Sequence, residues 1–276
     1  MPELPEVETI ARLIRPRLEG RTIRGCEVRW IRTLGGLSRS AFEHAVVGSR
    51  LARVWRRGKY LVADLEQRGR PWGALVGHLR MTGRVHVEPA GFDPGPHLKV
   101  RLALDDGTCL YFVDVRKFAR LCYARTPEIL LGELGPEPLS DAFTAERLWK
   151  GLREHRRMLK PLLLDQTFVA GIGNIYADES LFRAGLHPLA RSDRISRARA
   201  GRLRDEIRAT LREAIEREGS SFDVFYRTPE GRPGSYQHEF KVYGREGRPC
   251  LRCRASVVRI VVAQRGTHLC RRCQRV

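Results

Sequence analysis

The sequence predicts an α+β chain in three parts: a β-sandwich opened by one helix, a helical middle, and a cysteine-bearing β-hairpin at the C-terminus. Three observations carry the prediction. Stretches rich in Val, Leu and aromatic residues, broken by turn residues, recur from Arg21 to about Arg125. Apolar residues at helical spacing then take over, most clearly Leu203, Ile207, Leu211 and Ile215. Four of the seven cysteines close the chain as two CxxC pairs.

The elements follow in order. "MPELPEVETI" opens a helix, with Pro5 suited to a first helical position and Glu6 and Glu8 facing the positive end of the helix dipole. Val7, Ile10, Ile14 and Leu18 share one face, which leaves Met1-Pro2-Glu3 without a structural reason. "RLARVWRRGKYLVADLE" and "WGALVGHLRMTGRVHVE" read as strands. "HLKVRLALDDGTCLYFVDV" reads as a hairpin, with Leu98, Val100, Leu102 and Leu104 alternating and Asp106-Gly107 at the turn. Residues 1–125 form this sandwich domain, and the Pro- and Gly-bearing residues 126–140 are a linker. Residues 141–240 form the helical domain. Thr144 is placed to cap its first helix, Phe143 and Leu148 to staple it, and Gly219 to stop the long helix before a turn-rich loop. Residues 241–276 hold the cysteine pairs.

Charge narrows the partner. The 276 residues hold 51 Lys and Arg against 32 Asp and Glu, a formal +19, which points to a polyanion and first to nucleic acid. A taste for Arg over Lys explains the identity of the bases but not their excess. No apolar run approaches the length of a membrane span, and the N-terminus lacks the pattern of a secretory signal, so a soluble cytoplasmic protein is expected. Six of the 51 bases are Lys, and an amine can exchange a proton where a guanidinium cannot; Lys59 and Lys160 are therefore worth following.

Cys250-x2-Cys253-x16-Cys270-x2-Cys273 has the spacing of a tetrahedral thiolate site on a hairpin, filled by one structural zinc with no open position for catalysis. Between Lys241 and Val276 lie ten bases and one acid, so the hairpin is also a nucleic-acid contact. Cys26, Cys109 and Cys122 read as small buried hydrophobes. In "GIGNIYADES", Gly171 and Gly173 permit a tight turn and Asn174 enters a helix that stops near Gly185. Alone this is a helix–helix turn; beside the charge and the cysteine hairpin, a phosphate clamp is favoured. "HLRMTG" and "DVRKFAR" leave two readings open: sandwich core, or Met81, Arg116 and Phe118 as apolar wedges and an arginine that occupy a gap in a base stack.

"MPELPEVET", "RRGKYL", "HLRMTG", "DVRKFAR", "LLLDQTFVAGIGNIYADESLF" and "VYGREGRPC…CRRCQ", in this order over essentially the whole chain, resemble the formamidopyrimidine-DNA glycosylase family. The resemblance implies a bifunctional repair enzyme that excises oxidised purines and then nicks the abasic strand. It also implies a helix–two-turn–helix fold for the middle domain. Pro2, freed of Met1, would be the Schiff-base nucleophile, Glu3 the general acid and Glu6 its support. Lys59 would donate a proton during β-elimination, and Arg265 would assist δ-elimination at the lesion phosphate. His97, Arg116, Lys160 and Asn174 would grip the DNA backbone, while Met81, Arg116 and Phe118 fill the vacated stack. A loop around Thr228–Tyr236 would cover the extruded base. The partner implied is damaged double-stranded DNA, bound by a monomer with no organic cofactor.

The chain departs from the family pattern at Arg80, Ala119 and Arg254, where glycine is usual, and at Val115, where proline is usual; some members carry lysine at the Arg232 position. None of these touches Pro2, Glu3 or Lys59. Two other readings compete. One is an endonuclease VIII-like enzyme for oxidised pyrimidines, which "MPELPEVET" and the long loop disfavour. The other is a non-catalytic zinc-ribbon DNA-binding protein, which does not require Pro2, Glu3 and Lys59 together.

Overall fold

The computed structural model describes residues 1–222 and 226–275. Two compact units make up the chain, Met1–Glu133 with Glu218–Gly234 and Leu134–Arg217 with Ser235–Val276.

The first unit begins with α1 (Leu4–Leu18), capped at Glu3 and one residue longer at its start than Pro5 alone indicates. Val7, Ile10, Ile14 and Leu18 are buried in the unit's core, as their spacing requires. Then follow β1 (Ile23–Val28), α2 (Arg39–Val46) and seven strands: β2 (Arg50–Arg57), β3 (Tyr60–Gln67), β4 (Arg70–His78), β5 (Gly83–Pro89), β6 (Leu98–Leu104), β7 (Thr108–Asp114) and β8 (Arg120–Ala124). They form two antiparallel four-stranded sheets, ordered β1-β6-β7-β5 and β2-β3-β4-β8. The inward faces of both sheets and the apolar face of α1 supply one core. A gap of about 40 Å³ remains inside it, lined by apolar side chains such as Val54, Leu61 and Phe112.

The β6–β7 hairpin turns at Gly107, whose φ of +81° suits glycine. The expected linker contains one helical turn, α3 (Glu128–Leu131), anchored by the buried Leu131. Residues Glu218–Gly234, expected in the helical domain, cluster with the sandwich. Two contacts explain this: the Ser220 N–H donates to Glu6 Oε1 at 2.8 Å, and the Tyr226 ring is buried in the sandwich core.

The second unit holds α4 (Ala145–Glu154), α5 (Leu159–Leu164), α6 (Asn174–Ala184) and α7 (Arg197–Glu216), then the hairpin of β9 (Val258–Val262) and β10 (Arg265–Leu269). Thr144 caps α4 by accepting from the Arg147 N–H at 3.1 Å, and Phe143 and Leu148 are both buried beside it. Gly185 ends α6 in the left-handed region, at φ +69°. No helix among the described residues is long and apolar enough to cross a membrane.

Candidate active site and nucleic-acid interface

In the first unit, Pro2 and Glu3 are buried at the start of α1, while Met1 is 40% exposed. Glu6, also buried, accepts from the Glu3 N–H at 2.8 Å with one carboxylate oxygen and from the Ser220 N–H with the other. One carboxylate therefore fixes both the entry to α1 and the base of the long loop. Gly219 is required at this point, because its φ is +78° and a Cβ would lie 2.8 Å from the Glu6 side chain.

Lys59 sits in the two-residue turn between β2 and β3, after Gly58 at φ +56°, and is buried. Arg56 ties this hairpin to α1 by pairing with Glu8 at 2.9 Å and donating to the Gly58 carbonyl. His78, at the end of β4, pairs in register with Tyr60 and meets its ring edge-on at 4.7 Å. Burial, then the charges of Arg80 and Lys59, push the His78 imidazole down to about 3, so the ring is neutral beside Lys59. Its Nδ1 accepts the Arg80 N–H at 3.0 Å.

Met81 and Phe118 are 39% and 53% exposed, which rules out the sandwich-core reading of both. Arg116 and Phe118 lie in the loop between β7 and β8, because β7 stops at Asp114 and Lys117 takes φ +63°. The loop still brings the trio together: Arg116 reaches the Met81 sulfur at 2.9 Å and lies 5.1 Å from the Phe118 ring centre. His97 is exposed just before β6. The loop over Thr228–Tyr236 contains a tight turn, with the Thr228 N–H bonded to the Arg232 carbonyl at 2.9 Å. Residues 223–225, in the turn-rich stretch that leads into it, lie outside the described residues.

In the second unit, Gly171 uses φ +88°, whereas Gly173 is extended and caps α6 with no side chain in the way. Asn174 donates through Nδ2 to the Gly266 carbonyl at 3.1 Å. Lys160 is wholly buried, so it does not present its ammonium to a DNA backbone as expected. Instead it pairs with Asp178 at 2.6 Å and donates to Thr267 Oγ1 and the Gly266 carbonyl at 2.8 and 3.1 Å. Asn174 and Lys160 thus hold the residue next to Arg265, which is exposed at the hairpin tip. That tip is a two-residue turn, Ala263 and Gln264, both at positive φ.

The four cysteine sulfurs lie within 4.8 Å of one another, Cys253 and Cys270 at 3.4 Å and Cys250 and Cys273 at 3.9 Å. These separations exceed a disulfide bond and bracket the edge of about 3.8 Å that tetrahedral Zn–S bonds of about 2.3 Å require. The hairpin returns the second pair to the first, and the Ala255 N–H pulls the Cys253 thiol down to about 7, toward the thiolate a metal needs.

Comparison with known proteins assigns the whole chain. Residues 1–121 match the formamidopyrimidine-DNA glycosylase N-terminal domain and residues 134–226 its H2TH domain. Residues 247–276 match the zinc finger found in FPG and IleRS. The formamidopyrimidine-DNA glycosylase of Roseiflexus sp. is 44% identical over 278 residues, covering 100% of both chains. That of Thermus thermophilus is 45% identical, covering 99% of this chain and 98% of its own. The chain belongs to the formamidopyrimidine-DNA glycosylase family. Among solved structures, the Thermus thermophilus MutM (FPG) protein superposes with a TM-score of 0.87 at 45% identity, covering 99% of this chain and 98% of that one. The complex of wild-type Lactococcus lactis Fpg with N7-benzyl-Fapy-dG DNA gives 0.90 at 34% identity, covering 100% of both chains.

Within this glycosylase fold, sequence reasoning missed three buried acids. Asp178 follows Asn174 by one helical turn and also accepts the His268 N–H at 2.8 Å. Glu179 accepts the N–H groups of Lys241, Val242 and Tyr243 at 2.8–2.9 Å, fixing the entry to the zinc finger; burial outweighs these bonds and raises its carboxyl. Asp114 lies under the Met81 and Arg116 loops. The signal was available: acids inside otherwise apolar segments are expensive to bury unless they bind backbone N–H groups.

Proposed function

We propose that the protein is a base-excision repair glycosylase and abasic-site lyase for oxidised purines such as 8-oxoguanine and formamidopyrimidines, working through an N-terminal proline. The observation that carries this reading is the buried N-terminal turn, where Pro2 and Glu3 lead α1 and Glu6 braces the Glu3 N–H. With Met1 in place the Pro2 nitrogen is an amide; removal of Met1 makes it a secondary amine, an α-amine that titrates near about 7.7–8.0 and is partly neutral at physiological pH.

The neutral amine attacks the anomeric carbon of the flipped nucleotide. The glycosidic electron pair leaves with the base, which takes a proton from Glu3; the substituted nitrogen gives up its proton, and its lone pair then opens the sugar ring by breaking the C1′–O4′ bond, O4′ taking a proton. The resulting iminium has no N–H to lose, so its charge persists and acidifies the neighbouring C2′ proton. Loss of that proton expels the 3′-phosphate, with Lys59 supplying a proton, and a second elimination expels the 5′-phosphate with help from Arg265. His97, Arg116 and Asn174 contact phosphates, and Lys160 acts through the hairpin. Met81, Arg116 and Phe118 fill the emptied stack, and the 228–236 loop covers the base. Zinc, held by Cys250, Cys253, Cys270 and Cys273, shapes the finger and takes no part in the chemistry.

The excess of 19 positive charges supports DNA as partner. The reading includes a monomer acting on cytoplasmic DNA, which sedimentation checks. Borohydride trapping on duplexes each bearing one lesion tests the activity. The expected result is a covalent adduct on 8-oxoguanine and formamidopyrimidine duplexes, stronger than on oxidised pyrimidines. A preference for pyrimidine lesions would shift the reading to the endonuclease VIII-like branch, and no adduct on any lesion would leave a DNA-binding protein.

A further inference from the structure

We propose that Asp114 is a positioning residue that locks the loops carrying Met81, His97, Arg116 and Phe118 into one arrangement, and that discrimination of an emptied base stack from an intact one depends on it. The inference rests on the reading of Met81, Arg116 and Phe118 as the side chains that fill the gap.

The trio has little to order it from above, since all three side chains are exposed. Order comes from below. Asp114 ends β7 and is 1% exposed. Its Oδ1 accepts the hydroxyl of Thr82, the residue after Met81, and the Arg116 N–H at 3.2 Å. Its Oδ2 accepts the N–H of Ala119, the residue after Phe118, at 2.8 Å. Its own N–H donates to the His97 carbonyl at 3.0 Å. Thr82 Oγ1 in turn accepts the Arg116 N–H at 3.2 Å, closing a ring between the two wedge loops.

The backbone shows what the ring restrains. Arg80 and Lys117, one in each loop, take φ of +54° and +63°, conformations that side-chain-bearing residues resist. Fixed hydrogen bonds on either side hold them there. The buried Lys99 ammonium is the countercharge to the carboxylate. An amide cannot replace it: asparagine would turn one acceptor into a donor facing the Thr82 hydroxyl or the Ala119 N–H, and one loop would be released.

The test measures affinity for an undamaged duplex and for the same duplex carrying a tetrahydrofuran abasic analogue, with wild type, Asp114→Asn, Thr82→Val and the double variant. The expected ratio of abasic to undamaged affinity falls about tenfold in Asp114→Asn and about threefold in Thr82→Val, affinity for undamaged duplex, which feels only the loosened His97 and Arg116 contacts, falling less than affinity for the abasic one. The double variant is expected to fall no further than Asp114→Asn, since both act through one node. Equal losses on both duplexes would reduce Asp114 to a fold-holding residue and overturn the inference, as would additive effects. If Asp114→Asn does not fold, Thr82→Val decides alone, and an unchanged ratio overturns the proposal. A wild-type protein with no preference for the abasic duplex would sink the wedge reading itself, whereas a wild-type preference that both variants retain sinks only the role of Asp114.

Discussion

Oδ1 of Asp178 lies 2.6 Å from the Lys160 ammonium, and neither side chain is exposed. The pair joins α5 to α6, and its remaining bonds hold Gly266 and Thr267 of β10, next to Arg265. Removing one partner of a buried pair strands the other charge, at a cost of about 3–5 kcal/mol. Asp178→Asn is therefore expected to lower the urea midpoint strongly. Lys160→Met combined with Asp178→Leu, which strands no charge, should recover at least half of the loss. Because the hairpin tip loosens, the surviving strand cleavage should stop more often after β-elimination. A product ratio identical to wild type would separate the pair from Arg265.

Arg80 and Arg254 stand where the family usually carries glycine, and both take positive φ, +54° and +64°. Arg80→Gly and Arg254→Gly should each stabilise the protein by about 0.5–1 kcal/mol, the relief of left-handed strain outweighing glycine's greater freedom in the unfolded chain. Calorimetry should show a rise in Tm for each. Arg70→Gly, an exposed strand position outside the positive-φ set, should lower Tm. Falls in all three would mean that the strain account is wrong.

The zinc site makes a separate prediction. β9 and β10 have five residues each, too little for an isolated hairpin to be stable in water. The finger should therefore hold one zinc per chain by metal analysis, and Cys253→Ser should weaken DNA binding by unfolding the finger. Full binding after complete chelation would contradict this.

The sandwich, the helical middle and the cysteine hairpin were all legible because each follows a local rule. Alternation placed Val100, Leu102 and Leu104 in the sandwich core, whereas Leu98, beyond an irregularity in β6, is buried in a separate cluster with Cys109, Tyr111 and Val113; helical spacing buried Leu203, Ile207 and Leu211, and CxxC spacing marked the metal ligands. What escaped was long-range. Nothing local tells that Ser220 meets Glu6, so the packing of the 218–234 loop on the sandwich unit is not legible in the sequence. Lys160 stands out in the sequence as one of six lysines, but its burial does not, because its partner Asp178 meets it only once α6 packs on α5.

His78 sets a pH limit. Its folded value, about 3, lies below the unfolded 6.5, so the unfolded chain binds the proton more readily between these values. The stability contributed by the neutral ring is whole above about pH 6.5 and is lost as pH falls, by at most about 1.4 kcal/mol per unit. Urea midpoints should drop from pH 7.5 to 5.0 in the wild type and drop less in His78→Gln. Parallel curves would place the acid sensitivity elsewhere.

The last prediction concerns Pro2. Met1 is exposed and Pro2 buried, so the proline already occupies its place at the head of α1 with the methionine outside it. An amide nitrogen is not basic and cannot attack a sugar, whereas the freed secondary amine can. Intact mass of the purified protein should therefore be short by one methionine. A chain made to retain Met1, or to carry one added residue before Pro2, should lose both base excision and strand cleavage. It should keep its affinity for duplex DNA, because the phosphate contacts proposed above fall to other residues. Pro2→Gly supplies a primary amine in the same position and should keep a reduced activity; its imine can lose a proton, so elimination should suffer more than adduct formation. Peptide mapping of the borohydride-trapped complex is the direct measurement. An adduct on any residue other than Pro2, or undiminished excision with Met1 in place, would end the proline mechanism for this chain.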